Sequence, residues 1–88
     1  MTPSPLQWRD PPRLPPRIQA IVEEVSAESG YSVPLLRSRS QVRKLARARW
    51  IAWRRMRELP NRPSFALIGY WFGKDHTTII HGVYSDRG

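Results

Sequence analysis

The sequence predicts an all-α fold, and three observations carry that expectation. Apolar residues recur at spacings of three and four wherever the chain runs free of proline and glycine. No pair of alternating apolar and polar segments offers a strand and its partner, and the β-branched residues stand singly or at helical spacing. Gly, Pro and short polar residues fall between the periodic segments, where helices start and stop.

Taken in order, residues 1–16 hold six of the nine prolines, Pro3, Pro5, Pro11, Pro12, Pro15 and Pro16, and are expected to form a disordered, extended tail. Ile18, Ile21, Val22 and Val25 then follow the i, i+3, i+4, i+7 pattern, with Glu23, Glu24 and Glu28 on other faces, so a helix is expected over Arg17 to Ser29. Gly30 suits its end, and Val33-Pro34-Leu35-Leu36 allows one short turn of helix. From Gln41 to Leu59 there is neither Gly nor Pro, and Val42, Leu45, Ala48, Ala52, Met56 and Leu59 define the apolar stripe of the longest helix. Pro60-Asn61-Arg62-Pro63 breaks it. Ser64 is placed to cap a third helix, Phe65 to Phe72, which Gly73 ends. Asp75 is placed to cap a fourth over His76 to Tyr84, with Ile79, Ile80 and Val83 inward. The organisation is therefore a tail over 1–16 and one helical domain over 17–88.

Composition narrows the function. Eighty-eight residues bury only roughly 60 to 65% of their unfolded surface, too little for a multi-layer enzyme around an enclosed cofactor. Fifteen basic against seven acidic residues leave a net charge of +8, which calls for a polyanionic partner. The absence of cysteine excludes disulfides and thiolate-held metals and suits a reducing cytoplasm. No apolar run approaches the roughly 20 residues of a spanning helix.

The charge is concentrated. Arg37, Arg39, Arg43, Lys44, Arg47, Arg49, Arg54, Arg55 and Arg57 lie in one stretch without an acid, and arginine grips phosphate bidentately where lysine offers a point charge. A solvated face usually mixes signs, so this block points to nucleic acid. An anionic membrane is the other common polyanion, but the apolar stripe of the basic helix is needed for the core. Trp50 and Trp53 are likewise read as core residues rather than base-stacking platforms.

Two short helices joined by Phe72-Gly73-Lys74 make a helix-turn-helix, whose second helix would enter the major groove. Lys74, Asp75, His76, Thr77 and Thr78 stand at its front. A carboxylate accepts from the cytosine amino group, histidine exchanges a hydrogen bond with a base edge, and threonine offers a methyl to thymine and a hydroxyl to base or phosphate.

The string Phe72-Gly73-Lys74-Asp75-His76-Thr77-Thr78-Ile79-Ile80-His81 resembles the signature of the DNA-binding C-terminal domain of the bacterial replication initiator DnaA. The resemblance extends back through Ser64 to Gly69, Arg47-Ala48-Arg49, the Arg37-Ser38-Arg39-Ser40 loop and Leu35-Leu36 to the first helix, about residues 17 to 84. It implies a TrpR-like helical fold that reads a short duplex element, the DnaA box. Asp75, His76 and Thr77 would then read bases and Thr78 a phosphate, with Lys74 standing where the family usually has arginine. A basic-loop arginine, Arg37, Arg39 or Arg43 with Arg39 preferred, would enter the minor groove. Arg47, Arg49, Ser64, Phe65 and Ala66 would face the phosphate backbone. The turn here is one residue shorter than the usual Gly-Gly-Arg.

No Gly-x-x-x-x-Gly-Lys-Ser/Thr segment is present, so the ATPase of the initiator is not expected. Metal binding is not expected either, because His76 and His81 lie about 140° apart around a helix and have no third ligand. His81 is read as a partly buried structural residue. Neither a catalytic site nor a cofactor is expected, and no small-molecule substrate. The sequence is thus read as a stand-alone DnaA-domain-like protein, cytoplasmic and nucleoid-associated, that binds double-stranded DNA and regulates replication initiation. The alternatives are an adaptor whose tail docks a replication-initiation or proteolysis protein, and a transcriptional regulator of chromosomal or prophage origin.

Overall fold

A computed structural model describes residues 12–38, 40 and 42–85, and among these the regular structure is five helices. Helix α1, Pro16–Ser29, opens with proline at its first position, where the missing N–H has no partner to lose. Gly30 closes it in the left-handed region at φ 83°, which glycine adopts without a Cβ penalty, and donates its N–H to the Ser26 carbonyl. The single turn α2, Val33–Leu36, is capped by the Ser32 hydroxyl, which accepts from the Leu35 N–H at 3.2 Å. Helix α3, Arg43–Arg57, is shorter at both ends than the apolar pattern predicts. Val42 lies outside its first turn and is 55% exposed, so it is no part of the core stripe. Gln41, the expected start, lies outside the described residues. At the other end Glu58 leaves the helix two residues ahead of Pro60. Helices α4, Phe65–Phe72, and α5, His76–Ser85, follow the expected bounds to within one residue.

Helix α3 is the central member, packed against both α1 and α5, while α4 packs on α5. Its stripe of Leu45, Ala48, Ala52, Trp53 and Met56 is buried against Ile18, Val22 and Val25 of α1 and Ile79 and Val83 of α5. Trp53 and Phe72 meet edge to face, ring centroids 5.7 Å apart at 85°. Trp53 and Trp71 are core residues as the composition suggests, and Trp50 is half-buried beside them. Close approach of α5 to α3 depends on Gly82, since a Cβ there would sit 2.5 Å from ring atoms of both Trp50 and Trp53.

The tail boundary differs from expectation. Leu14 is buried in the core, and the Pro12 carbonyl accepts from Arg37, so packed chain begins ahead of Arg17. An apolar side chain two residues before the helix is enough to dock a segment that proline keeps extended. The rest of the tail expectation, residues 1–11, lies outside the described residues, as do residues 86–88.

Candidate nucleic-acid interface

The Ser64 hydroxyl accepts from the Leu67 N–H at 3.1 Å and starts α4, leaving the amides of Phe65 and Ala66 in its first turn. Ser64 and Ala66 are exposed; Phe65 is half-buried, with the Arg57 guanidinium 4.0 Å over its ring and Tyr84 of α5 tilted against it. Gly73 ends α4 at φ 64°, and the next residue doubles back: the Lys74 N–H donates to the Gly69 carbonyl at 2.9 Å. This fold-back needs Gly69, whose Cβ would strike the Lys74 carbonyl oxygen closer than any ordinary contact.

From that turn α5 projects its front into solvent. Asp75, His76, Thr77 and Thr78 are all exposed and Lys74 is half-buried, while Ile79 is buried and anchors the same turn. Asp75 caps the helix as expected, its Oδ2 accepting from the Thr77 N–H at 3.1 Å, and its Oδ1 lies 3.7 Å from His76 Nδ1. The backbone hydrogen bond from Thr77 holds the Asp75 carboxyl below its ordinary pKa, with a Thr77 side-chain bond and the His76 charge adding to it. A carboxyl lowered in the folded state stabilises above its unfolded pKa, and that contribution is lost as pH falls through the lowered value. The gap in melting temperature between the wild type and Asp75→Ala should therefore close on acidification below the ordinary carboxylate range. A gap independent of pH would show that the cap does not depend on charge.

The basic segment does not act as one block. Arg55 pairs with Glu24 and Glu28 of α1 at 3.0 and 2.8 Å, acids distant in sequence. Arg57 donates to the Pro63 carbonyl at 2.8 Å besides covering Phe65. Arg37, a candidate for the minor groove, is half-buried and donates through Nε and Nη2 to the Trp71 carbonyl, at 3.0 and 2.8 Å, and through Nη2 to Pro12. Arg49, expected at phosphate, is 4% exposed and directs its fork at the carbonyls of Leu36, Ser40 and Ser38, each at 2.7 Å. Burial lowers the pKa of both arginines. Arg39 lies outside the described residues. Exposed cations remain at the front of α3, where Arg43, Lys44 and Arg47 face solvent, Arg43 and Arg47 one turn apart.

The burial of Arg49 had a signal in the sequence. It stands four residues after Leu45 and three before Ala52, on the apolar stripe itself. His81, expected to be partly buried, is exposed because it lies on the face of α5 opposite the core residues Ile79 and Val83.

The helix-turn-helix, with its left-handed glycine and capped second helix, coincides with a family model described as the bacterial dnaA protein helix-turn-helix, which matches residues 18–85. The chain belongs to this DnaA family. No curated protein and no solved structure matches it. All five helices among the described residues contribute to the DnaA domain, with only the first two residues of α1 outside the match, and the domain is one that binds DNA. Among the described residues no cluster of three His, Cys, Asp or Glu could hold a metal ion, and no helix is long and apolar enough to cross a membrane.

Proposed function

We propose that this DnaA-family domain binds double-stranded DNA sequence-selectively at a DnaA-box-like element and thereby regulates replication initiation, in the cytoplasm on the nucleoid. The observation that carries the reading is the front of α5, where Asp75, His76, Thr77 and Thr78 stand exposed together on a helix whose next residue, Ile79, is locked in the core. Rigid backing of this kind is what base readout requires, since side chains must meet base edges without reordering.

In this reading α5 lies in the major groove. Asp75 retains acceptor capacity for a cytosine amino group beyond its bond to Thr77, because an ionised carboxylate offers about four lone-pair sites. His76 and Thr77 reach neighbouring base edges with Lys74 beside them in the major groove, and Thr78 meets phosphate. The first-turn amides of α4 at Phe65 and Ala66, beside the Ser64 cap, receive a backbone phosphate, as helix N-termini do. Arg47 and its exposed neighbour Lys44 neutralise further phosphates, and the minor-groove arginine is Arg39, with Arg37 and Arg43 as the other candidates.

Fluorescence anisotropy at fixed near-physiological salt, with a DnaA-box duplex against a scrambled duplex of equal composition, tests the proposal. The expected preference is about a hundredfold or more. Equal affinities would remove sequence selectivity and leave a general DNA binder. Within the same assay, His76→Ala and Thr77→Ala should each cost about 1 to 3 kcal/mol on the box and little on the scrambled duplex. Equal losses on both would remove these residues from base reading.

A further inference from the structure

The last residue of α2 and the connection to α3 have carbonyls that no helical ladder satisfies, and three of them converge on one buried cation. Arg49 Nε donates to Leu36, Nη2 to Ser38 and Nη1 to Ser40, each at 2.7 Å, and Nη2 also lies 3.4 Å from the Ser38 hydroxyl. The guanidinium fork thus supplies donors to three backbone carbonyls that come from separate points along the chain. Arg37 follows Leu36 directly and carries the same connection to the end of α4, where its two bonds to the Trp71 carbonyl fall two residues ahead of Gly73. The loop and the helix-turn-helix are thereby fastened together through side chains whose donors point inward.

We infer that Arg49 is a positioning residue for DNA binding: it sets the course of the α2–α3 connection relative to the helix-turn-helix and does not itself hold phosphate. The inference rests on the proposed reading of DNA by α5 and this loop. A side chain 4% exposed, with its fork committed to four hydrogen bonds, would have to break the loop apart to reach a phosphate. Lysine cannot replace it, because one ammonium is a point donor and cannot reach three separate carbonyls as the planar guanidinium fork does. The charge of Arg49 is therefore incidental to the DNA contact, and its geometry is what matters.

Two variants separate geometry from charge, Arg49→Lys and Arg49→Met, each measured by anisotropy on box and scrambled duplexes over a salt series. A positioning role predicts that both variants lose about tenfold or more on the box and under about threefold on the scrambled duplex, a difference of at least about 0.7 kcal/mol. It also predicts an unchanged slope of log affinity against log salt, since no phosphate contact is removed. Retention of box affinity by Arg49→Lys, or a slope about one unit shallower in Arg49→Met, would overturn the inference.

The wild type supplies a readout that survives if the variants fail to fold. By NMR the Arg49 Nε–H should be protected from exchange with water in the free protein and keep its chemical shift when box DNA is added. Rapid exchange in the free protein, or a shift on DNA binding, would refute the clamp. If wild-type protein shows no preference for the box, the proposed function fails, while Nε–H protection still decides whether the clamp exists.

Discussion

Trp53→Ala is expected to cost about 3 to 5 kcal/mol of folding stability, a large share of the roughly 5 to 15 kcal/mol that a small domain has. Trp53 is 1% exposed, meets Phe72 of α4 edge to face at 5.7 Å, and presents the ring on which Gly82 of α5 lies. It thus joins the central helix to both helices of the helix-turn-helix. Its removal leaves a cavity where three helices meet, and the rigid backbone on the α5 side cannot relax into it. Urea denaturation, read as the midpoint at constant slope, measures the loss. Trp53→Phe should cost distinctly less, since it keeps a ring and removes an indole N–H that is buried without a hydrogen-bond partner among the described residues. Equal costs for the two variants would mean that the site collapses freely and that the Trp53 ring does not join the three helices.

Gly69→Val should destabilise the domain by about 3 kcal/mol, the upper end for an overpacked site, and weaken box DNA at the same time. The obstacle is the backbone carbonyl of Lys74, not the far end of a flexible side chain, so the only relief is movement of the turn that launches α5. Displacing Lys74 carries Asp75 and His76 with it, and a shift of about 1 Å is enough to misplace side chains that must meet base edges. In the same region Ser64→Ala should cost about 1 kcal/mol through loss of a cap alone. Thermal melting and box anisotropy on the valine variant together check the claim. Wild-type stability with wild-type affinity would show that the turn yields without strain.

Much of this was legible in the sequence, for identifiable reasons. Helical periodicity located α1, α4 and α5 to within a residue or so because Gly30, Ser64, Gly73 and Asp75 act locally, each on the backbone beside it. The front of α5 was legible for a related reason: the residues after the Asp75 cap are polar up to Ile79, where the apolar core positions begin. Membership of the DnaA family was written in a contiguous string at that point.

What depended on distant chain was not legible. Arg55 reads as one more phosphate arginine until folding sets it against Glu24 and Glu28, 31 and 27 residues away. Arg37 reads as a loop cation until the Trp71 and Pro12 carbonyls claim its fork. Leu14 reads as tail until the core takes it in. Arg49 stood on the apolar stripe of α3, and its burial follows from spacing, but the carbonyls that make burial tolerable come from a loop 9 to 13 residues earlier. By itself the sequence determined the order of the helices and the Ser64 and Asp75 caps, because these depend on residues a few positions apart, and the total positive charge, which is a count. Only the tertiary structure decided which arginines face solvent and which hold the domain together, because a guanidinium goes where acceptors converge, and convergence is a property of the packed chain.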